Sequence, residues 1–118
     1  MKYCLLLLSL CHLCQLSAQE LKSIYYDSGE LKSKGEFIND QPIGEWLNYH
    51  KSGTLQSKGA YYGIYIDPEN NQEVYLRRGS WTFYFENGKK ESEGTFEKHI
   101  KVGIWTYYHP SGKPKFVT

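Results

Sequence analysis

One phrase recurs three times along this chain: Gly44-Glu45-Trp46 with Tyr49 and Gly53, Gly79-Ser80-Trp81 with Tyr84 and Gly88, and Gly103-Ile104-Trp105 with Tyr108 and Gly112. Written once, it is Gly-x-Trp-x-x-Tyr-x-x-x-Gly. A second phrase accompanies it, since Leu55-x-Ser57-x-Gly59-x-Tyr61 matches Lys90-x-Ser92-x-Gly94-x-Phe96 and stands upstream as Leu31-x-Ser33-x-Gly35-x-Phe37, where Tyr25 lies four residues before Gly29. The turn glycines Gly29, Gly53, Gly88 and Gly112 are 24, 35 and 24 residues apart, so the unit is 24 residues with 11 extra in one place. A period of this size demands a repeat architecture, in which each unit completes its core against the next.

The extra residues can be located. Seven positions separate Phe37 from Gly44 and Phe96 from Gly103, whereas 18 separate Tyr61 from Gly79. The insertion therefore falls within 62–78, where Tyr62, Ile64 and Ile66 alternate up to Asp67-Pro68-Glu69-Asn70-Asn71 and Val74 and Leu76 alternate down. That pattern predicts one connection drawn out into a longer hairpin.

Each unit reads as a β-hairpin. Asp27-Ser28-Gly29, Lys51-Ser52-Gly53, Glu86-Asn87-Gly88 and Pro110-Ser111-Gly112 are short turns that put Gly where positive φ is needed. In the returning strand, period-2 alternation places Leu55, Ser57, Gly59 and Tyr61 on one face and Gln56, Lys58 and Ala60 on the other. Lys32, Lys34 and Glu36, and then Glu91 and Glu93, fall on the polar side by the same rule, giving one apolar, notched face and one charged face. Gly35, Gly59 and Gly94 carry no Cβ, so a Trp or Tyr ring of a neighbouring strand is expected in each notch. Trp46 and Tyr49 are three apart, as are Trp81 with Tyr84 and Trp105 with Tyr108, so alternation sends them to opposite faces unless a bulge realigns them. The bulge is the expectation adopted.

Composition agrees with strands. After residue 18 the chain holds ten Tyr, five Phe and three Trp against 15 Leu, Ile and Val, and no stretch keeps an apolar period near 3.6. The fold class read from the sequence is all-β, an antiparallel β-hairpin repeat array without significant helix. Its units are 20–43, 44–78 with the insertion, 79–102 and a partial 103–118. At the last of these, Pro114 between Lys113 and Lys115 suits an edge strand that takes no further partner.

The first 18 residues stand apart. Lys2 precedes an apolar run from Leu5 to Leu16, and Leu16-Ser17-Ala18 offers a cleavage point before Gln19, the pattern of a secretory signal peptide. The run is shorter than the ~20 apolar residues a spanning helix needs. Export to the periplasm, the outer surface or the medium is the expected localisation. All three cysteines, Cys4, Cys11 and Cys14, lie in this segment, so residues 19–118 have no disulfide, thiolate metal site or cysteine nucleophile. Lys2 is also its only charged residue, which leaves 13 basic and 13 acidic side chains in the remaining 100. Balanced charge argues against nucleic acid as a partner.

The two phrases together resemble the bacterial variant of the MORN (membrane occupation and recognition nexus) repeat, the group often labelled YwqK-like antitoxins. The resemblance covers residues 24 to 118 and implies an elongated antiparallel meander serving as a scaffold, a protein-binding surface or a lipid contact.

Nothing in the chain reads as catalytic. His50 and His109 occupy one repeat position, three before the turn glycine, where the other units have Tyr26 and Phe85. Ser33, Ser57 and Ser92 recur because the repeat recurs, and no glycine-rich phosphate loop opens a helix. No catalytic residue, metal or cofactor is assigned. The expected role is a non-enzymatic protein-interaction or scaffold module of the cell envelope, with another protein as partner. An antitoxin or immunity protein against a toxin is one alternative. A glycan- or lipid-surface-binding module is another, in which Trp46, Tyr49, Trp81, Tyr84, Trp105 and Tyr108 would be the candidate contact residues. Exposed indoles would favour a glycan and buried ones would end that reading; a lipid surface lacks support from a basic patch.

Overall fold

The computed structural model of the protein describes residues 19–117, so the expected signal peptide lies outside the described residues. Eight strands follow one another: β1 (Gln19–Tyr25), β2 (Leu31–Ile38), β3 (Gln41–Tyr49), β4 (Leu55–Ile66), β5 (Glu73–Tyr84), β6 (Lys90–Glu97), β7 (Ile100–Tyr108) and β8 (Pro114–Val117). They form a single antiparallel sheet in the order of the sequence, with β1 and β8 at its edges. The all-β hairpin array expected from the repeat is the fold observed.

Four turns of one design close β1 to β2, β3 to β4, β5 to β6 and β7 to β8. In each, the residue after the repeated Tyr donates its N–H to a carbonyl four residues on, as Tyr26 to Glu30, His50 to Thr54, Phe85 to Lys89 and His109 to Lys113. The turn glycine then donates back to that residue's carbonyl, with φ between 89° and 105°, a region that Gly enters without steric cost. The two short connections at the opposite end use Asn39-Asp40 and Lys98-His99, each pair at positive φ as a two-residue hairpin turn requires.

The insertion is the long hairpin the alternation predicts. Both β4 and β5 run for 12 residues, and Ile64↔Tyr75, Tyr65↔Val74 and Ile66↔Glu73 extend their pairing beyond the repeat. Its turn is stabilised by Asp67 Oδ1 accepting from the N–H of Glu69 and by Asn70 Oδ1 accepting from that of Gln72.

Register explains the phrase Gly-x-Trp. Lys34 pairs with Leu47 and Glu36 with Ile43, so Gly35 alone faces the three residues Gly44 to Trp46. Gly59 faces Gly79 to Trp81, and Gly94 faces Gly103 to Trp105, in the same way. Each Gly-x-Trp is thus a bulge of three residues against one, and its glycine takes a φ of 67° to 73°.

A second bulge lies on each returning strand. Asn48 pairs with Ser57 and Tyr49 with Leu55, which leaves Gln56 unmatched; Lys32, Glu91 and Lys115 are skipped in the other units. Neither bulge falls between Trp and Tyr on the forward strand. The expectation that a bulge would bring those rings to one face is therefore corrected. Tyr108 donates to the Glu93 carboxylate on one face, while Trp105 packs with Phe83 and Phe96 on the other. We call the Trp side the inner face. The outer face is consequently less uniformly charged than alternation implied, since Leu21 and Ile104 are also exposed there, at 82% and 71%.

Candidate interaction surface

Each indole occupies the notch of the strand before it. A β-carbon on Gly35 would lie 2.2 Å from the Cδ2 atom of Trp46, one on Gly59 2.2 Å from that of Trp81, and one on Gly94 2.3 Å from that of Trp105. The indole N–H then donates to the carbonyl of the residue after the glycine: Trp46 to Glu36 at 3.2 Å, Trp81 to Ala60 at 3.1 Å and Trp105 to Thr95 at 3.1 Å. The rings retain 0, 1 and 2% of their surface. The notch expectation is met, and burial ends the reading of these three rings as a glycan platform. Tyr49, Tyr84 and Tyr108 are half-buried on the outer face, so the candidate residues do not converge on one site.

Around the indoles runs a continuous ladder of rings along the inner face. Trp46 meets Tyr61 at 5.9 Å between centroids, Tyr61 meets Trp81 at 5.1 Å, Trp81 meets Phe83 at 5.8 Å, and Phe96 meets Trp105 at 5.1 Å. Edge and offset geometries of this kind each add about 0.5–1.5 kcal/mol beyond burial.

The repeat is broken in one region. Where the third and fourth units place Phe83 and Tyr107, the second has Asn48. Its side-chain oxygen accepts from Ser33 Oγ at 2.6 Å, and its amide donates to Ser57 Oγ at 3.0 Å and to the Tyr61 hydroxyl at 3.2 Å. The insertion hairpin reaches the same region. Tyr75 stands edge-on to Trp46 at 5.6 Å and to Tyr61 at 5.2 Å, and the Ile64 N–H donates to Gln41 Oε1 at 2.8 Å.

Between Asn48 and this hairpin lies an open cleft of about 310 Å³ whose walls include Ser57, Tyr61, Tyr75, Arg77 and His99. The turn residue His99 binds β5 through main chain and ring, its backbone N–H donating to the Arg77 carbonyl at 2.9 Å and its Nδ1 accepting the Arg77 backbone N–H at 3.1 Å. Burial and then the neighbouring guanidinium hold the His99 imidazole below its ordinary pKa, so it is neutral at pH 7. Burial raises the Tyr61 and Tyr75 hydroxyls, which are therefore neutral donors. Arg77 lies 4.5 Å from the Phe96 centroid and 5.9 Å from that of Trp81, a cation over rings.

The other histidine that invited scrutiny has a structural task. His50 Nε2 bonds the Tyr84 carbonyl at 3.0 Å, as Tyr26 in the preceding unit donates its hydroxyl to the Tyr49 carbonyl at 2.6 Å. These bonds tie successive turns together. Among the described residues no group of three His, Cys, Asp or Glu is placed to hold a metal ion.

The sequence model of the MORN repeat variant matches residues 21–39, 42–62, 77–98 and 101–117. The chain belongs to the MORN repeat variant family. No curated protein and no solved structure matches it. The four MORN matches leave out residues 63–76, the part of the long hairpin that carries Tyr75. MORN repeats generally act as protein- or membrane-interaction modules and are generally not enzymes. Arg77, Tyr75, Asn48 and His99 were not singled out from the sequence as a site. The signal was present in Asn48, a polar residue where sister units have rings, and in the insertion that departs from the period.

Proposed function

We propose that the protein is an exported, non-enzymatic interaction module that holds another protein on its inner face, with the insertion hairpin as the recognition element. The observation that supports this is the packing of Tyr75 against Trp46 and Tyr61, which commits the one non-repeated segment to the inner face. A surface made only of repeats offers the same contact several times over. The hairpin and Asn48 make one place on it unlike the rest, as selective recognition requires.

The test is cross-linking capture from the source cell envelope with residues 19–118, beside a variant in which Asp67–Gln72 is replaced by Asn-Gly. A partner held by the full chain and lost with the short turn is the expected result. The same partners on both forms would remove the hairpin from recognition. Identification of a captured toxin would establish the immunity reading, which uses the same surface. Intact mass of the exported chain, with residue 19 first, checks the leader.

A further inference from the structure

Arg77 is a partly buried cation without a counter-ion. Among the described residues the one ion pair is Lys90 with Glu93, on the outer face, and Glu73 on the same strand as Arg77 forms none with it. Among the described residues the side chain's only hydrogen-bonding contacts are two long ones to His99, at 3.5 Å from Nε and 3.5 Å from an Nη atom. A guanidinium carries five N–H donors in a planar fork. Here most of them are unspent, and the group lies over the Phe96 ring, 4.5 Å from its centroid.

The groups around it narrow what the cleft can take. Arg77 is its one full charge, because His99 is neutral and Asn48, Ser57, Tyr61 and Tyr75 contribute amide and hydroxyl groups. A single positive fork matches a carboxylate in charge and in two-point geometry, whereas a phosphate dianion calls for more cations than the cleft offers. The half-buried Phe83 and Tyr75 rings supply apolar surface for whatever carries that carboxylate. One further inner-face cation, Lys101 over Trp105 at 4.5 Å, extends the preference for an acidic ligand toward β7, whereas Lys22 shares its hollow with Asp40 and Glu73.

Resting on the protein-interaction reading above, we propose that the inner face recognises an acidic segment of its partner protein, with one Asp or Glu carboxylate of that segment seated on the Arg77 guanidinium. The aromatic walls take the neighbouring residues of the segment, and Lys101 steers its remaining acids.

The experiment follows the Arg77 Nε–Hε and Trp81 indole N–H signals by NMR during titration of residues 19–118 with acetylated hexaglutamate at 150 mM salt. Hexaglutamine and vesicles of phosphatidylcholine with phosphatidylserine serve as comparisons. Saturable shifts of both signals with hexaglutamate alone are expected. Affinity should fall about ten-fold or more in Arg77→Gln, as loss of a charge-assisted pair implies. Arg77→Lys, which keeps the charge without the fork, should give an intermediate loss. Equal shifts with hexaglutamine, undiminished binding by Arg77→Gln, or binding to the vesicles without binding to the peptide would each overturn the proposal. Capture of one partner equally by wild type and Arg77→Gln would also overturn it while leaving the interaction reading in place. Peptide binding without any captured partner would count against that reading alone.

Discussion

The indole of Trp81 stands where a side chain on Gly59 would have to be, with its Cδ2 atom 2.2 Å from the position of the absent Cβ. Contact that close has no small remedy, because the ring is also held by its N–H to the Ala60 carbonyl.

Gly59→Ala should therefore cost about 3 kcal/mol, the upper end of the usual overpacking range. For a domain of this size that lowers the thermal midpoint by roughly 10–20 °C. Gly53→Ala provides the contrast. Nothing lies within 4 Å of its added carbon, but its φ is 100°, so only backbone strain of about 1–2 kcal/mol is expected. Thermal melts followed by circular dichroism compare the two, and an unchanged Gly59→Ala midpoint would remove the notch from the account of stability.

Asn48→Ala should destabilise by about 2 kcal/mol. The substitution takes the partner from Ser33, Ser57 and the Tyr61 hydroxyl together, and the two serines are buried, so the groups left behind bear the cost. Urea unfolding monitored by Trp fluorescence reads the change.

His99 gives the fold an acid-sensitive point. Its folded pKa lies below the ordinary imidazole value of about 6.5, through burial first and Arg77 second. Above that value folded and unfolded chains are both neutral at this residue and it has no effect. As pH falls below it the unfolded state binds the proton first, so stability is lost progressively toward pH 5. His99→Asn keeps a residue that tolerates the turn's φ of 69° and should flatten this part of the pH profile. Denaturation midpoints at pH 7.5 and 5.5 provide the measurement.

Glu93 is a second acid-sensitive point, in the carboxylate range. The Tyr108 hydroxyl donates to its carboxylate and Lys90 lies 3.1 Å away, which together hold its pKa below the usual carboxylate value. The stability this contributes is present above that value and is lost as pH drops through the folded pKa. In Tyr108→Phe, carbon NMR should show the Glu93 carboxyl titrating nearer its ordinary value, and an unshifted curve would mean that the hydroxyl is not its main support.

Much of this was legible from residues alone, for identifiable reasons. Gly35, Gly59 and Gly94 announced notches because a strand has no other use for a recurrent glycine opposite recurrent rings. The 24-residue period and the turn glycines gave the hairpins, and the alternation on either side of Asp67 gave the long one. Tyr108 was harder. Lys115 continues the strand alternation in sequence, so nothing marks it as the unmatched residue, and the bulge expected on the forward strand lies on the returning one. The cleft was harder again, because Arg77 and His99 are 22 residues apart and meet only when the lengthened β5 runs beside the β6–β7 turn. That turn contains no glycine to advertise its left-handed backbone.

Each tryptophan leans back onto the unit before it, and that gives the array a direction. Removing the last unit would uncover Gly94, a shallow dent that water can fill. Removing the first would leave Trp46 without its seat and expose a large apolar ring. Two truncations of one unit each are therefore unequal, and the molecule that loses its leading unit is the one that will seek a replacement surface in another chain.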